Sequence, residues 1–230
     1  MMNSIQHETE LPVAEILHGV ANCFQLLTST VHLRLKQAFD PVARDELAWT
    51  LEVIRTVSLL QRHLTSHRGQ NFADYLQELV KYWQPLLEFR SIRIEADTEP
   101  VELGSNISSA LALTVQELLA NSVKHAFNGA GGVVHIGLKC CGSEAELTIG
   151  DNGQGVPERR PCSPGTGMTI MRRLSEQIGA AMKIDSCESG TVARLRFPVV
   201  AAVKNTTNCT AESNPHVAAD LPPRMEGARS

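Results

Sequence analysis

The chain has 230 residues, a formal net charge of −4 and 43% hydrophobic residues. That is enough apolar content for one or two modest domains with real cores, and it excludes a disordered chain. A slightly acidic balance without a run of Lys or Arg argues against nucleic acid or an anionic membrane surface as the main partner, which leaves small molecules and proteins.

The opening stretch MMNSIQHETELPVAE has no basic n-region followed by an apolar h-region, and no later stretch holds ~20 unbroken apolar residues. A cytoplasmic chain without membrane insertion is expected. Six cysteines are scattered, with Cys140 and Cys141 adjacent and no CxxC pair, so neither a zinc knuckle nor a disulfide framework is indicated. Residues 1–11 are expected to be disordered. From Val13 to Gln37, Leu17, Val20, Phe24, Leu27, Val31 and Leu35 recur at steps of three and four, one stripe of a long helix. Pro41 in FDPVARDE breaks the pattern. A second helix is predicted from about Ala43 to His67, with Leu47, Leu51, Ile54 and Leu64 on a comparable stripe. Two such helices form an antiparallel hairpin over 12–68 that cannot bury both stripes alone, so pairing of two hairpins into a dimeric four-helix bundle is expected.

A linker is expected around Gly69, after which helices and strands alternate. Phe72 to Trp83 reads as a helix and SIRIEAD as a strand. Asn106 to Phe127 reads as a long helix, and VVHIGLKC and AELTIGD as a strand pair. GTGMTIMRRLSEQIG is a helix closed by Gly179, and AMKIDSC and TVARLRFPV form a hairpin around ESG. The overall class is therefore α+β: a helical hairpin, then an α/β sandwich over 70–200 with one helical layer on one mixed sheet. The tail, 201–230, has no periodicity and is expected to be disordered.

Chemistry concentrates in three stretches. ALTVQELLANSVKHAF is apolar at helical spacing, yet it places Glu117, Asn121, Lys124 and His125 within about two turns. DNGQGVP follows an alternating strand, and its glycines let backbone approach a ligand. GTGMTIMRRL opens a helix with two glycines, where free amides and the positive dipole end suit phosphate. A carboxylate at a strand end, two Gly-rich turns and a polar helical face make a nucleotide pocket. It is neither a P-loop nor a protein-kinase loop, since GxxxxGK and GxGxxG are absent.

ELLANSVKHAF, DNGQGVP and GTGMTIM resemble the N, G1 and G2 boxes of the ATP-binding domain shared by histidine kinases, gyrase, HSP90 and MutL, over about Phe72 to Val200. The resemblance implies ATP and Mg²⁺ as cofactors, with Asn121 chelating the metal, Lys124 contacting phosphate and Asp151 receiving the adenine amino group. Gly153, Gly155, Gly165 and Gly167, with Thr166 between the last two, would form a flexible lid. His125 has two readings, a phosphate contact or a helix-face contact. Glu117 likewise has two, a general base or a partner for water on Mg²⁺.

LHGVANCFQLL is similar to the H-R-V-K-N-N-L-Q phosphoacceptor box of one histidine kinase subgroup, matching at His18, Val20, Asn22 and Gln25. His18 would be the phosphoacceptor, since neutral imidazole is a competent nucleophile toward a phosphoryl group. Asn22, one turn later, either orients water or merely solvates the helix. The family's Arg and first Lys are Gly19 and Ala21 here, and no acid follows the histidine, so Glu15 and Glu117 are the candidate bases. His32, His63, His67 and His135 are read as structural, and Trp49, Trp83 and the aromatics near Tyr75 as core. The resemblance implies an ATP-dependent histidine kinase of a two-component system, autophosphorylating and passing the group to a response regulator's aspartate. It would act as a homodimer and take its signal from a separate sensor, through the tail, or from a longer gene product. Rival readings are a histidine phosphotransferase and an anti-sigma factor serine kinase.

Overall fold

The computed structural model describes residues 13–66, 71–155 and 166–199. The expected disordered ends, the linker at Gly69, His67 and Gly165 lie outside the described residues. α1 (Val13–Gln37) and α2 (Pro41–Thr65) form the expected antiparallel hairpin. Pro41 does not merely interrupt the pattern; it is the first residue of α2, where its missing N–H costs nothing. Asp40 caps the helix, its Oδ2 accepting from the Ala43 amide at 2.9 Å.

One partner helix covers only a narrow stripe of α1. Ala21, Phe24, Thr28, Val31 and Leu35 are half-buried, whereas Val20, Leu26, Leu27 and Leu33 are exposed, Leu26 at 67%. The predicted stripe therefore splits: Phe24, Val31 and Leu35 face α2, and Val20 and Leu27 do not. α2 is sandwiched, with α1 on one side and α3 and α4 on another, so Leu51, Thr56, Leu60 and His63 are buried.

α3 (Phe72–Leu87) runs past the predicted end at Trp83, with Pro85 in its last turn, where only one backbone bond is forfeited. Its cap, Asn71, accepts from the Ala73 and Val101 amides. After a 3₁₀ turn come β1 (Ile92–Thr98), α4 (Ser105–Asn121), β2 (Gly132–Cys141), β3 (Glu144–Asp151), α5 (Thr166–Gln177), β4 (Ala181–Cys187) and β5 (Gly190–Pro198). The five strands lie in the order β1-β2-β3-β5-β4. Only β1 and β2 are parallel, and α4 supplies the crossover such a pair needs.

Strand alternation puts one face of the sheet under the helices. Leu138, Leu147, Leu195 and Met182 stand in register across four strands, and Ile136, Ile149, Ala193 and Ile184 form the next row. Together with Tyr75, Leu76 and Leu79 of α3 and Leu111, Val115 and Leu119 of α4 they make one core. The α+β class and the single helical layer are thus as expected. Trp83 and Tyr75 are core residues, but Trp49 is only half-buried and lines a cleft, which corrects the reading of Trp49 as core.

Candidate functional site

A cleft of about 1600 Å³ opens between the C-terminal end of α4, the end of β3, α5 and the first turns of α2. α4 is buried on almost every side, and Glu117 is 5% exposed. Asn121, four residues on, lies on the same face and is half-buried at the cleft. Beyond it the helix widens into a π turn, Ser122–Ala126, where a regular helix to Phe127 was expected. In that turn Ser122 and Ala126 are buried while Lys124 and His125 stand exposed on the rim.

Asp151 ends β3, buried, with both carboxylate oxygens hydrogen-bonded. Oδ2 accepts from the Ser122 hydroxyl at 2.8 Å, and Oδ1 accepts from the amides of Gly153 at 3.1 Å and Thr191 at 3.3 Å. These donors hold a buried anion in one orientation, aimed from the strand end into the cleft. The loop after it is tied to the π turn: the Gln154 amide donates to Ala126 O, its side chain donates to His125 O, and Asn128 donates to Gln154 Oε1. A Cβ at Gly153 would strike Ala126, and one at Gly155, where φ is +65°, would strike the Cys187 carbonyl. Gly153 therefore packs against the π turn, and Gly155, which lines the cleft, against the end of β4.

Gly167 lies in the first turn of α5, and a Cβ there would collide with the Glu117 carboxylate. Thr166 begins the same helix. Glu117 Oε1 also accepts a hydrogen bond from the Trp49 indole of α2. So Glu117, Asn121, Lys124, His125, Asp151, Gly155 and Gly167 converge on one cleft, as three separated motifs required. Ser122, Thr191, Arg172 and the wall formed by Asp45, Glu46 and Trp49 were not foreseen. Ser122 was within reach, since it adjoins Asn121; the α2 wall had no local signal.

His18 and Asn22 are both exposed on α1, one turn apart, away from this cleft. Along the hairpin His18 stands about 28 Å of helix from the turn and Trp49 about 12 Å, so about 16 Å separates His18 from the level of the cleft. Of the histidines read as structural, His63 is buried, its Nε2 3.0 Å from Asn71 O. Half-buried His135 pairs with Gly150 across the strands, and His32 is exposed. Burial pushes the Tyr75 phenol above its usual range, with Glu78 adding to the shift.

No group of three or more His, Cys, Asp or Glu suited to a metal ion occurs among the described residues. Asn121 with the nearby Glu117 fits Mg²⁺ only when phosphate oxygens and water complete the shell, which is how Mg²⁺ commonly binds. Among the described residues no helix is long and apolar enough to cross a membrane.

Residues 15–86 match the family model described as histidine kinase, and residues 106–201 the model described as histidine kinase-, DNA gyrase B-, and HSP90-like ATPase. The chain thus joins a histidine kinase phosphoacceptor domain to an ATP-binding domain of the GHKL type, and it resembles histidine kinases along most of its length. It is 23% identical over 202 residues to blue-light-activated histidine kinase 2 of Erythrobacter litoralis, covering 84% of this chain and 58% of that one. It is 26% identical over 196 residues to the sensor histidine kinase PdtaS of Mycobacterium tuberculosis, covering 81% of this chain and 39% of that one. The fold matches the solved histidine kinase domain of a blue-light activated histidine kinase from Erythrobacter litoralis with a TM-score of 0.60 at 23% identity, over 81% of this chain and 90% of that one.

Proposed function

We propose that this chain is an ATP-dependent protein-histidine kinase that phosphorylates His18 and passes the group to a response-regulator aspartate. The observation that carries it is the convergence of Asn121, Lys124, Asp151 and Gly167 on one cleft, in a chain that also displays His18 on a separate exposed helix. Asp151, held by Ser122, Gly153 and Thr191, would accept from an adenine amino group. Lys124 offsets phosphate charge, and Asn121 would hold Mg²⁺, which when bound supplies charge neutralisation on the phosphate oxygens.

In the transfer, the bond from the γ-phosphorus to the β,γ-bridging oxygen breaks and a bond from an imidazole nitrogen of His18 forms; the leaving group is ADP. The imidazole proton needs an acceptor, and Glu117 is the buried carboxylate of the cleft suited to that role. Because about 16 Å of hairpin lies between them, transfer requires either rearrangement of the hairpin or a cleft from a second subunit. The exposed Val20, Leu26, Leu27 and Leu33 support a dimer built on α1. Asn22 is assigned the orientation of water toward a regulator's phospho-aspartate.

Incubation with labelled ATP and Mg²⁺ should label the wild type with acid-labile phosphate, and His18→Ala should lose that label while still binding a fluorescent ATP analogue. Label persisting in His18→Ala would overturn the assignment in favour of a serine kinase. Labelling from a phosphorylated regulator but not from ATP would select a phosphotransferase.

A further inference from the structure

The α2 face that meets the ATP-binding domain changes character along its length. Leu60 and His63, near the C-terminal end, sit in the core beside Phe72 and Tyr75. The N-terminal part makes polar contacts instead. The Trp49 indole donates to Glu117, and Thr56 Oγ1 donates to Gln116 Oε1 at 2.8 Å in a buried pair. Tyr82 of α3 donates to Glu52 at 3.1 Å. Gln116 Nε2 is buried with no partner, so this docking leaves a donor unsatisfied that water would reach if the helix lifted.

The same stretch of α2 forms one wall of the cleft and sets Asp45 and Glu46 in it, where Lys124 and Arg172 offer cations for phosphate. Carboxylates near a triphosphate repel it. Trp49 moreover occupies one oxygen of Glu117 while Gly167 abuts the other. And in this arrangement His18 lies beyond reach.

We infer that Trp49 is an autoinhibitory latch: with Thr56 it holds the N-terminal half of α2 against α4, withholding Glu117 and narrowing the cleft until nucleotide draws the helix away about a pivot at Leu60 and His63. The inference rests on the nucleotide reading of the cleft. By reciprocity, a latch that lowers nucleotide affinity is itself loosened by nucleotide. The docked population then taxes the apparent affinity, and removing the latch lifts the tax.

The test uses the full chain. Trp49 and Trp83 are its only tryptophans, and the Trp83 indole N–H is buried without a partner, so Trp83→Phe isolates Trp49 at no cost in hydrogen bonds. Saturating Mg²⁺ with a non-hydrolysable ATP analogue should red-shift Trp49 emission and raise its quenching by acrylamide; an unchanged spectrum on a protein that binds the analogue would overturn the latch. Trp49→Phe combined with Thr56→Val should tighten binding of a fluorescent ATP analogue about tenfold, ~1.4 kcal/mol, and equal or weaker affinity would count against it. Without nucleotide, small-angle scattering should give this double variant a larger radius of gyration than wild type, and an identical value would overturn the latch. If neither protein binds the analogue, the nucleotide reading fails, while scattering still decides whether Trp49 and Thr56 hold the two domains together.

Discussion

On the sheet, Leu138, Leu147 and Leu195 stand side by side and are wholly shielded, whereas on α1 Leu26, Leu27 and Leu33 remain half or more exposed. Helices cover most of the apolar face of the sheet, with Leu60 of α2 completing that core, and its cleft edge, at Met182 and Ile184, is left half-buried. The hairpin is less fully covered, because each of its helices has apolar surface on more than one side and, among the described residues, α1 lies mainly against α2. A half with a well-shielded core suits a binding site whose geometry must hold; a half with uncovered surface suits one that meets other surfaces.

The sharpest way to break this contrast is to truncate one leucine in each half. Leu147→Ala should cost about 2–5 kcal/mol of unfolding free energy, read from urea denaturation. In the monomeric Leu27→Glu background, Leu26→Ala should change it by no more than about 0.5 kcal/mol; equal costs at the two sites would show that α1 is as well covered as the sheet.

Next in size comes the cleft. Asn121→Ala should weaken Mg²⁺-dependent binding of a fluorescent ATP analogue about a hundredfold, ~2.7 kcal/mol, with circular dichroism unchanged. Affinity that survives intact would remove the metal role and leave the rigid half without its assigned chemistry.

The uncovered face of α1 yields a smaller shift. Leu27→Glu should raise the dimer dissociation constant about tenfold or more, ~1.4 kcal/mol, visible as monomers in light scattering. A wild type that stays monomeric at micromolar concentration would refute the bundle.

The smallest effect belongs to the seam between the halves, where Tyr75 stacks on Phe72 and touches the ring of His63 edge-on. Its hydroxyl is buried with no partner, and burial raises its pKa. A raised pKa means the neutral phenol favours the folded state, so this contribution is complete below the unfolded value of about 10 and is lost as pH climbs above it. Tyr75→Phe should therefore change stability by less than about 1 kcal/mol at pH 7 and flatten the fall in melting temperature above pH 10. An alkaline profile identical to wild type would show that another group sets it.

Secondary structure in this chain is a local matter, and the sequence alone determined nearly all of it. The three-four spacing of Phe24, Leu27, Val31 and Leu35 marked α1, alternation marked β2 and β3, and Asp40–Pro41 marked the turn, because each signal lies within a few residues of what it specifies. The convergence of Asn121, Asp151 and Gly167 was likewise readable, since motif order carries it. Tertiary structure alone decided the insertion of β5 between β3 and β4, the π turn that exposes Lys124 and His125, and the hydroxyl of Ser122 on Asp151. It also decided that Trp49, which looks like any core aromatic on an amphipathic helix, sits on the cleft with its indole on Glu117. That contact joins residues 49 and 117, and no periodicity or spacing reports which face of α2 will meet α4: the choice follows from how two already formed surfaces fit, and that energy exists only once both have folded.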